Sequence, residues 1–204
     1  RGRTHVNHQY SVLSLLVIGL ASCQAEPGDE TLTDPVTDEA SIEAQQIEVA
    51  ERMIDAFYSF DPNQLRPFLA AAEESQTRLL YYQGWADGGN YKIVNRAPCA
   101  LDTANTVKCP ITVEDDPVLA LKIDFKVTDT FTISFDGATI KDVETSSNDK
   151  PIYNEASAWV RENLPEVMEG PCEGFFADGE PPADCARAMT EGYRKIAESD
   201  DFPG

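Results

Sequence analysis

The chain has 204 residues, with 36 acidic and 16 basic side chains and a formal net charge of −20 at pH 7. A surface this negative repels phosphate backbones, so we expect no nucleic-acid partner, whereas cationic partners or weakly held Ca²⁺ stay open. The length suffices for one well-buried domain, or for one domain with an appendage.

The first segment, residues 1–22, has the pattern of a signal peptide. Arg1 and Arg3 precede an apolar run over residues 12–20. Spanning a bilayer takes about 20 apolar residues, so this run is too short to be a membrane helix. A basic start followed by a short apolar run is typical of a secretory signal.

The end of that run, Leu20-Ala21-Ser22-Cys23, resembles the bacterial lipobox. The resemblance implies that Cys23 is lipidated, becomes the mature N-terminus and ties the protein to a membrane. In a bacterium with two membranes, Gln24 in the next position implies sorting to the outer membrane, facing the periplasm. Cleavage by an ordinary signal peptidase, with Cys23 incidental, is the alternative.

Both histidines, His5 and His8, lie in the segment that a signal peptidase would remove. A histidine-free mature chain excludes Ser-His-Asp and Cys-His catalysis and any His-ligated zinc or iron site. The acidic run Glu114-Asp115-Asp116 is followed by Pro117 and lacks the pattern of a calcium loop, so we interpret it as a solvated turn. We expect no cofactor and no metal.

Four cysteines follow Cys23, and in an exported chain an even number of cysteines indicates disulfides. Three pairings are possible. Cys99–Cys109 with Cys172–Cys185 is favoured, because each pair brackets a short polar loop containing Pro or Gly. Metal binding is the alternative, but no C-x-x-C spacing supports it.

In chain order, residues 23–38 are acidic and polar and predict a flexible tether. Residues 39–169 predict an α+β domain, and residues 170–204 a disulfide-stapled helical extension. The predicted helices span about 39–60, 70–86, 151–167 and 183–198, with a short helical turn after Asp61-Pro62. The predicted strands span 91–96, 107–114, a long run from Leu119, and 138–144.

The long run alternates apolar and polar residues from Leu119 to Phe135, which indicates a strand with one buried face. Asp136-Gly137 then predicts a two-residue hairpin turn. In that register Phe131 faces Asp142 and Asp129 faces Glu144, so three acids fall on the apolar face. Buried carboxylates acquire raised pKa values and can act as general bases. The end of the sheet, or a bulge near Asp129, would instead place these acids in water.

The long opening helix, the Phe60-Asp61-Pro62 corner and the antiparallel sheet resemble nuclear transport factor 2-like (SnoaL-like) domains over residues 39–145. That resemblance implies helices packed on a curved sheet of about four strands, with a cone-shaped pocket. It also implies a pocket carboxylate, which serves as general base in enzymes of this group. A plainer cystatin-like helix-on-sheet arrangement is the alternative.

Two functions are compatible with these patterns. The favoured one is a non-catalytic, lipid-anchored envelope protein that binds a small apolar ligand or another envelope protein, with Tyr82, Trp85 and Asp142 as ligand-binding residues. The alternative is a histidine-free isomerase, dehydratase or cyclase-like enzyme, with Asp142, Asp129 or Glu144 as general base. The aromatic group that contains Tyr82 and Trp85 also includes Tyr81 and Tyr91, and core packing is the other interpretation of all four.

Overall fold

The apolar face of an antiparallel sheet organises the fold. The structure, a computed structural model, describes residues 35–174, 183–200 and Phe202. The helices of this described part are α1 (Pro35–Phe57), α2 (Pro62–Leu65), α3 (Glu73–Gly88), α4 (Asp116–Ala120), α5 (Pro151–Asn163), α6 (Pro165–Met168) and α7 (Ala183–Ala197), with a 3-10 turn at Arg66–Leu69. The strands are β1 (Lys92–Arg96), β2 (Ala100–Thr103), β3 (Thr106–Glu114), β4 (Val127–Asp136) and β5 (Thr139–Ser147). The α+β class is therefore confirmed.

The strands lie in the order β1-β3-β4-β5, and β2 pairs with β3 as well. All of these pairings are antiparallel. Along β3 and β4 every second side chain is buried, as expected for a sheet with one face against a core. The predicted inward faces of both strands are confirmed. The sheet has five strands instead of about four, because β2 was not predicted.

Helix α1 covers the buried face of the sheet. Met53, Ile54 and Phe57 are fully buried, since residues three and four apart share one side of a helix. The Phe57 ring packs edge-on against Phe131 of β4, with 5.0 Å between centroids. The helix begins at Pro35 and ends at Phe57, whereas the predicted bounds were 39 and 60.

The hairpin between β4 and β5 differs from the prediction. Its turn residues are Gly137 and Ala138, and of the two Gly137 alone has a positive φ, of 58°. A glycine at the first central position suits a type II′ turn, so Asp136 remains in the strand opposite Thr139. A bulge at Lys141 shifts the register once more.

The predicted strand from Leu119 is wrong over residues 119–126, whereas its remainder is β4. Asp115 accepts a hydrogen bond from the Val118 amide at 2.8 Å and caps α4, with Pro117 in the first turn. Lys122 then takes a φ of 57°, which ends the helix and prevents an extended strand. Apolar residues of the alternating pattern still contact the core here: Ile123 is half-buried against it, although its backbone is irregular.

The last three helices form a second apolar cluster that shares side chains with the first. Helix α7 packs against α3, α4 and α5. The predicted disulfides are confirmed: Cys99–Cys109 joins the start of β2 to β3, and Cys172–Cys185 joins the end of α6 to α7. Among the described helices, none has the length and apolar character needed to cross a membrane.

Candidate functional site

A cavity of about 270 Å³ opens where α3, α5 and α7 meet the ends of β4 and β5. Pockets for drug-sized ligands measure about 300–1,000 Å³, so this cavity suits a small molecule. Its apolar and aromatic walls consist of Tyr82, Trp85, Tyr91, Val127, Tyr153, Met189 and Tyr193. Its polar lining consists of Ser147, Asp149, Asn154, Ser157 and Arg161.

Helical spacing places these side chains together. Tyr82 and Trp85 are three residues apart on α3, and Met189 and Tyr193 are four apart on α7. On α5, residues 153, 157 and 161 follow one another at intervals of four and so share a face. The cavity therefore lies between the faces of three helices. Each face can be recognised from the spacing of its own residues, whereas the meeting of the three faces depends on the tertiary structure.

The aromatic walls contain two pairs of rings that meet edge to face. Tyr82 and Tyr91 lie 6.4 Å apart with an interplanar angle of 88°. Tyr153 and Tyr193 lie 5.4 Å apart at 66°. Burial raises the pKa of Tyr91, and the neighbouring Trp85 side chain opposes that rise. Edge-to-face contact is a preferred arrangement of aromatic rings, and it holds these side chains in defined positions around the cavity.

Asp129 lies one layer behind the cavity wall and is fully buried. Its neighbour across the β4–β5 ladder, Ser147, donates a hydrogen bond to it at 2.5 Å. Tyr58 donates a long bond at 3.5 Å. Burial raises the pKa of Asp129, and the Ser147 hydrogen bond opposes that rise most strongly. Ser147 thus links this carboxyl to the cavity lining, to which Asp129 itself does not belong.

Two further carboxyl groups act on the same region. Asp115, 2% exposed, has its pKa raised to about 7, mainly by burial, with the Val118 amide opposing the rise and Asp129 adding to it. Its second oxygen, Oδ2, is buried without a hydrogen-bond partner. Asp149, an exposed residue that lines the cavity, has its pKa raised by partial desolvation. The prediction that the run around Asp115 is a solvated turn is thus wrong, because Asp115 caps a buried helix start.

The structure places Asp142 and Glu144 away from the cavity. The shifted register sets Asp142 opposite Ser134 and Glu144 opposite Thr132, on the sheet face away from the core. Glu144 is exposed, and Asp142 is half-buried. The predicted register, and with it the grouping of three acids on the apolar face, is therefore wrong.

Asp142 instead links α3 to the outer part of β5. It accepts a hydrogen bond from the Ser75 hydroxyl and lies 3.6 Å from the Arg78 guanidinium. Ser75 Oγ also accepts the Val143 amide at 2.9 Å. These contacts fasten the start of α3 to the edge strand.

Of the other predicted site residues, Tyr82 and Trp85 line the cavity, whereas Cys23 lies outside the described residues. Sequence reasoning missed Tyr153, Tyr193 and the buried Asp115. Asp115 carried a local signal, because an aspartate followed by proline two residues later is typical of a capped helix start. The two tyrosines carried only the signal of an apolar helix face.

A second recess, of about 340 Å³, lies on the outer side of α1 and α2 and is lined by Arg52, Asp55, Ala56, Gln64 and Phe68. Its one aromatic ring, Phe68, is already covered by the Arg52 guanidinium at 5.7 Å. The aromatic cavity is therefore the better candidate for a binding site.

The described residues contain no cluster of three or more His, Cys, Asp or Glu side chains arranged to hold a metal ion. Comparisons with protein-family models, with curated proteins and with solved structures found no match to this chain.

Proposed function

We propose that the protein is an exported, lipid-anchored binding protein whose aromatic cavity holds a small, mainly apolar ligand without transforming it. The observation that carries this proposal is the cavity itself. Five aromatic rings, a valine and a methionine form its walls, and a few polar side chains lie among them. Such a lining, apolar with a few placed polar groups, is the usual composition of a ligand site.

The polar groups lie where they would orient a ligand. Asp149, Asn154 and Arg161 are exposed, so they belong to the mouth of the cavity. Tyr91 and Tyr193 are buried and belong to its floor. A ligand with an apolar body and one polar end would therefore bury the body and leave the polar end at the mouth.

The sequence supports the export and anchoring part of the proposal. The lipobox-like Leu20-Ala21-Ser22-Cys23 predicts the lipid anchor, and Gln24 predicts the outer membrane, facing the periplasm. The two disulfides agree with an oxidising compartment. For residues 39–145 we propose a nuclear transport factor 2-like cone, supported by helices that precede an antiparallel sheet and by the Asp61-Pro62 helix start.

The alternative function is a histidine-free enzyme with Asp129 as general base. Burial and a raised pKa favour it, because both are common in catalytic carboxyl groups. The geometry opposes it. Hydrogen bonds from Ser147 and Tyr58 already occupy the two carboxylate oxygens, and Asp129 is not among the side chains that line the cavity. A general base must reach within hydrogen-bond distance of the proton that it removes.

The proposal is tested by ligand titration of the folded protein. Trp85 lines the cavity, so its emission reports binding once the other tryptophan is removed by Trp159→Phe. We expect small neutral probes such as benzyl alcohol and cyclohexanol to produce a saturable change in emission.

A matched pair of variants gives the control. Asn154 and Glu155 are adjacent, exposed residues of α5, and of the two only Asn154 lines the cavity. Asn154→Phe should fill the mouth and abolish the saturable change, whereas Glu155→Phe should leave it intact. Titrations that never saturate, or equal loss in both variants, would refute binding in this cavity.

A further inference from the structure

We infer that the ligand of the aromatic cavity carries an alkylammonium cation, an inference that rests on the proposed binding function and specifies its ligand class. An alkylammonium group is charged, yet its surface consists of methyl or methylene groups. It therefore suits a wall that is apolar in composition and negative in potential. Three sets of contacts lead to this assignment.

The first is the ring geometry. Tyr82, Trp85, Tyr91, Tyr153 and Tyr193 all line one small cavity, and two of their pairs meet edge to face, at 88° and 66°. Rings that come from several elements surround a small ligand on more than one side. A cation within about 6 Å of such ring centroids is attracted, most strongly by tryptophan, and aromatic cages bind quaternary ammonium ligands in this way.

The second is the arrangement of charge. Asp149 lines the cavity, and Asp129 accepts a hydrogen bond from Ser147, another lining residue. The lining contains one cationic side chain, Arg161, at the exposed mouth. Carboxyl groups in and directly next to the lining therefore outnumber its cationic side chains, which favours a positive ligand charge.

The third is the use of hydrogen-bond donors. The Ser147 hydroxyl donates to Asp129, so this lining donor is already engaged within the protein. A quaternary ammonium needs no hydrogen-bond donor or acceptor, since it has no N–H and interacts through its surface.

The test compares a cation with a neutral molecule of the same shape. In 3,3-dimethyl-1-butanol a neutral quaternary carbon takes the place of the charged nitrogen of choline, and the two molecules are otherwise alike in shape. With Trp85 emission read in the Trp159→Phe protein, we expect choline to bind at least about tenfold more tightly, as a desolvated cation–π site implies. Glycerophosphocholine is the second probe, because it carries the same ammonium group within a phospholipid head group. If it binds more tightly than choline, the ligand is a phospholipid head group, and if choline binds more tightly, the ligand is a free alkylammonium compound. Saturable binding of either probe supports the inference.

Charge-matched variants locate the effect. Asp149→Asn removes a carboxylate that lines the cavity, and Asp124→Asn removes an exposed carboxylate elsewhere, so both change the net charge equally. We expect Asp149→Asn to weaken choline binding severalfold and to leave the neutral alcohol unchanged, whereas Asp124→Asn should affect neither.

The outcomes separate the inference from the proposed function. Equal affinity for choline and its neutral isostere would overturn the cation assignment while leaving a binding cavity. Tighter binding of an anion such as benzoate would overturn it as well. If neither choline nor any neutral alcohol saturates the protein, both the inference and the proposed function fail.

Discussion

The buried carboxyl of Asp115 should make the stability of this protein fall as pH rises. Its pKa is raised from the ordinary 3.8 to about 7, mainly by burial. Between these two values the folded state binds a proton that the unfolded state has released. Raising the pH through this window therefore removes stability, and the loss is complete once the folded group has ionised. One pKa unit corresponds to about 1.36 kcal/mol, so the full loss is on the order of 4 kcal/mol.

Asp115→Asn removes the ionisation while keeping a side-chain oxygen that can accept the Val118 amide. Asparagine is also a good helix N-cap. Oδ2 of Asp115 is buried without a hydrogen-bond partner. In the protonated wild type and in the variant alike, a neutral polar group occupies this position. The free-energy cost of burying that group is therefore similar in the two proteins and largely cancels. We expect the variant to gain stability relative to wild type as pH rises. About a third of the effect is present by pH 5, so the gap should widen by about 2–3 kcal/mol from pH 5 to pH 8.

Urea unfolding of both proteins across that pH range measures the gap. Asp129 and Asp149 are present in both, so their own titration mostly cancels in the difference. Asp116→Asn is the control, because Asp116 is the adjacent carboxyl but is only half-buried. Its effect should stay within about half a kcal/mol. If the Asp115→Asn gap were the same at every pH, the carboxyl would not be desolvated and the reasoning would be refuted.

Two other predictions concern the anchor and the packing of α7. Cys23→Ser should release the protein from the membrane fraction, and retention after a carbonate wash would contradict lipidation at that residue. Gly192→Ala should lower the free energy of unfolding by about 1–3 kcal/mol, because overpacking a core has that cost. The new Cβ would lie 2.6 Å from Val160 Cγ2. Urea denaturation measures the change, and an unaltered midpoint would mean that α5 can move aside freely.

The parts of the fold that could be predicted are those encoded within a single element. The inward faces of β3 and β4 follow from a two-residue period, and the Tyr82–Trp85 spacing marked a helix face that does line the cavity. Both disulfides followed from the short loops that they close. In each case the residues concerned are close in the chain, and even the disulfides join cysteines only 10 and 13 residues apart.

The parts that failed depend on competition between close local alternatives or on distant segments. Asp136-Gly137 and Gly137-Ala138 are both acceptable two-residue turns. No residue type near Lys141 indicates the bulge that shifts the register there. The period of two from Leu119 continued through a short helix and irregular backbone, where a capping aspartate outweighed the strand pattern. Tyr153 and Tyr193 could be assigned to apolar helix faces, but not to a shared cavity.

The Cys172–Cys185 bond also determines how the chain responds to cleavage. The disulfide bridges residues 173–184, so a single peptide-bond cut within them would leave one molecule, joined through sulfur. Helix α7 supplies Met189 and Tyr193 to the cavity wall, and after such a cut it would still be held at high effective concentration beside α3 and α5. After such a cut, covalent release of this wall would therefore still require a second and different chemistry, reduction of the disulfide.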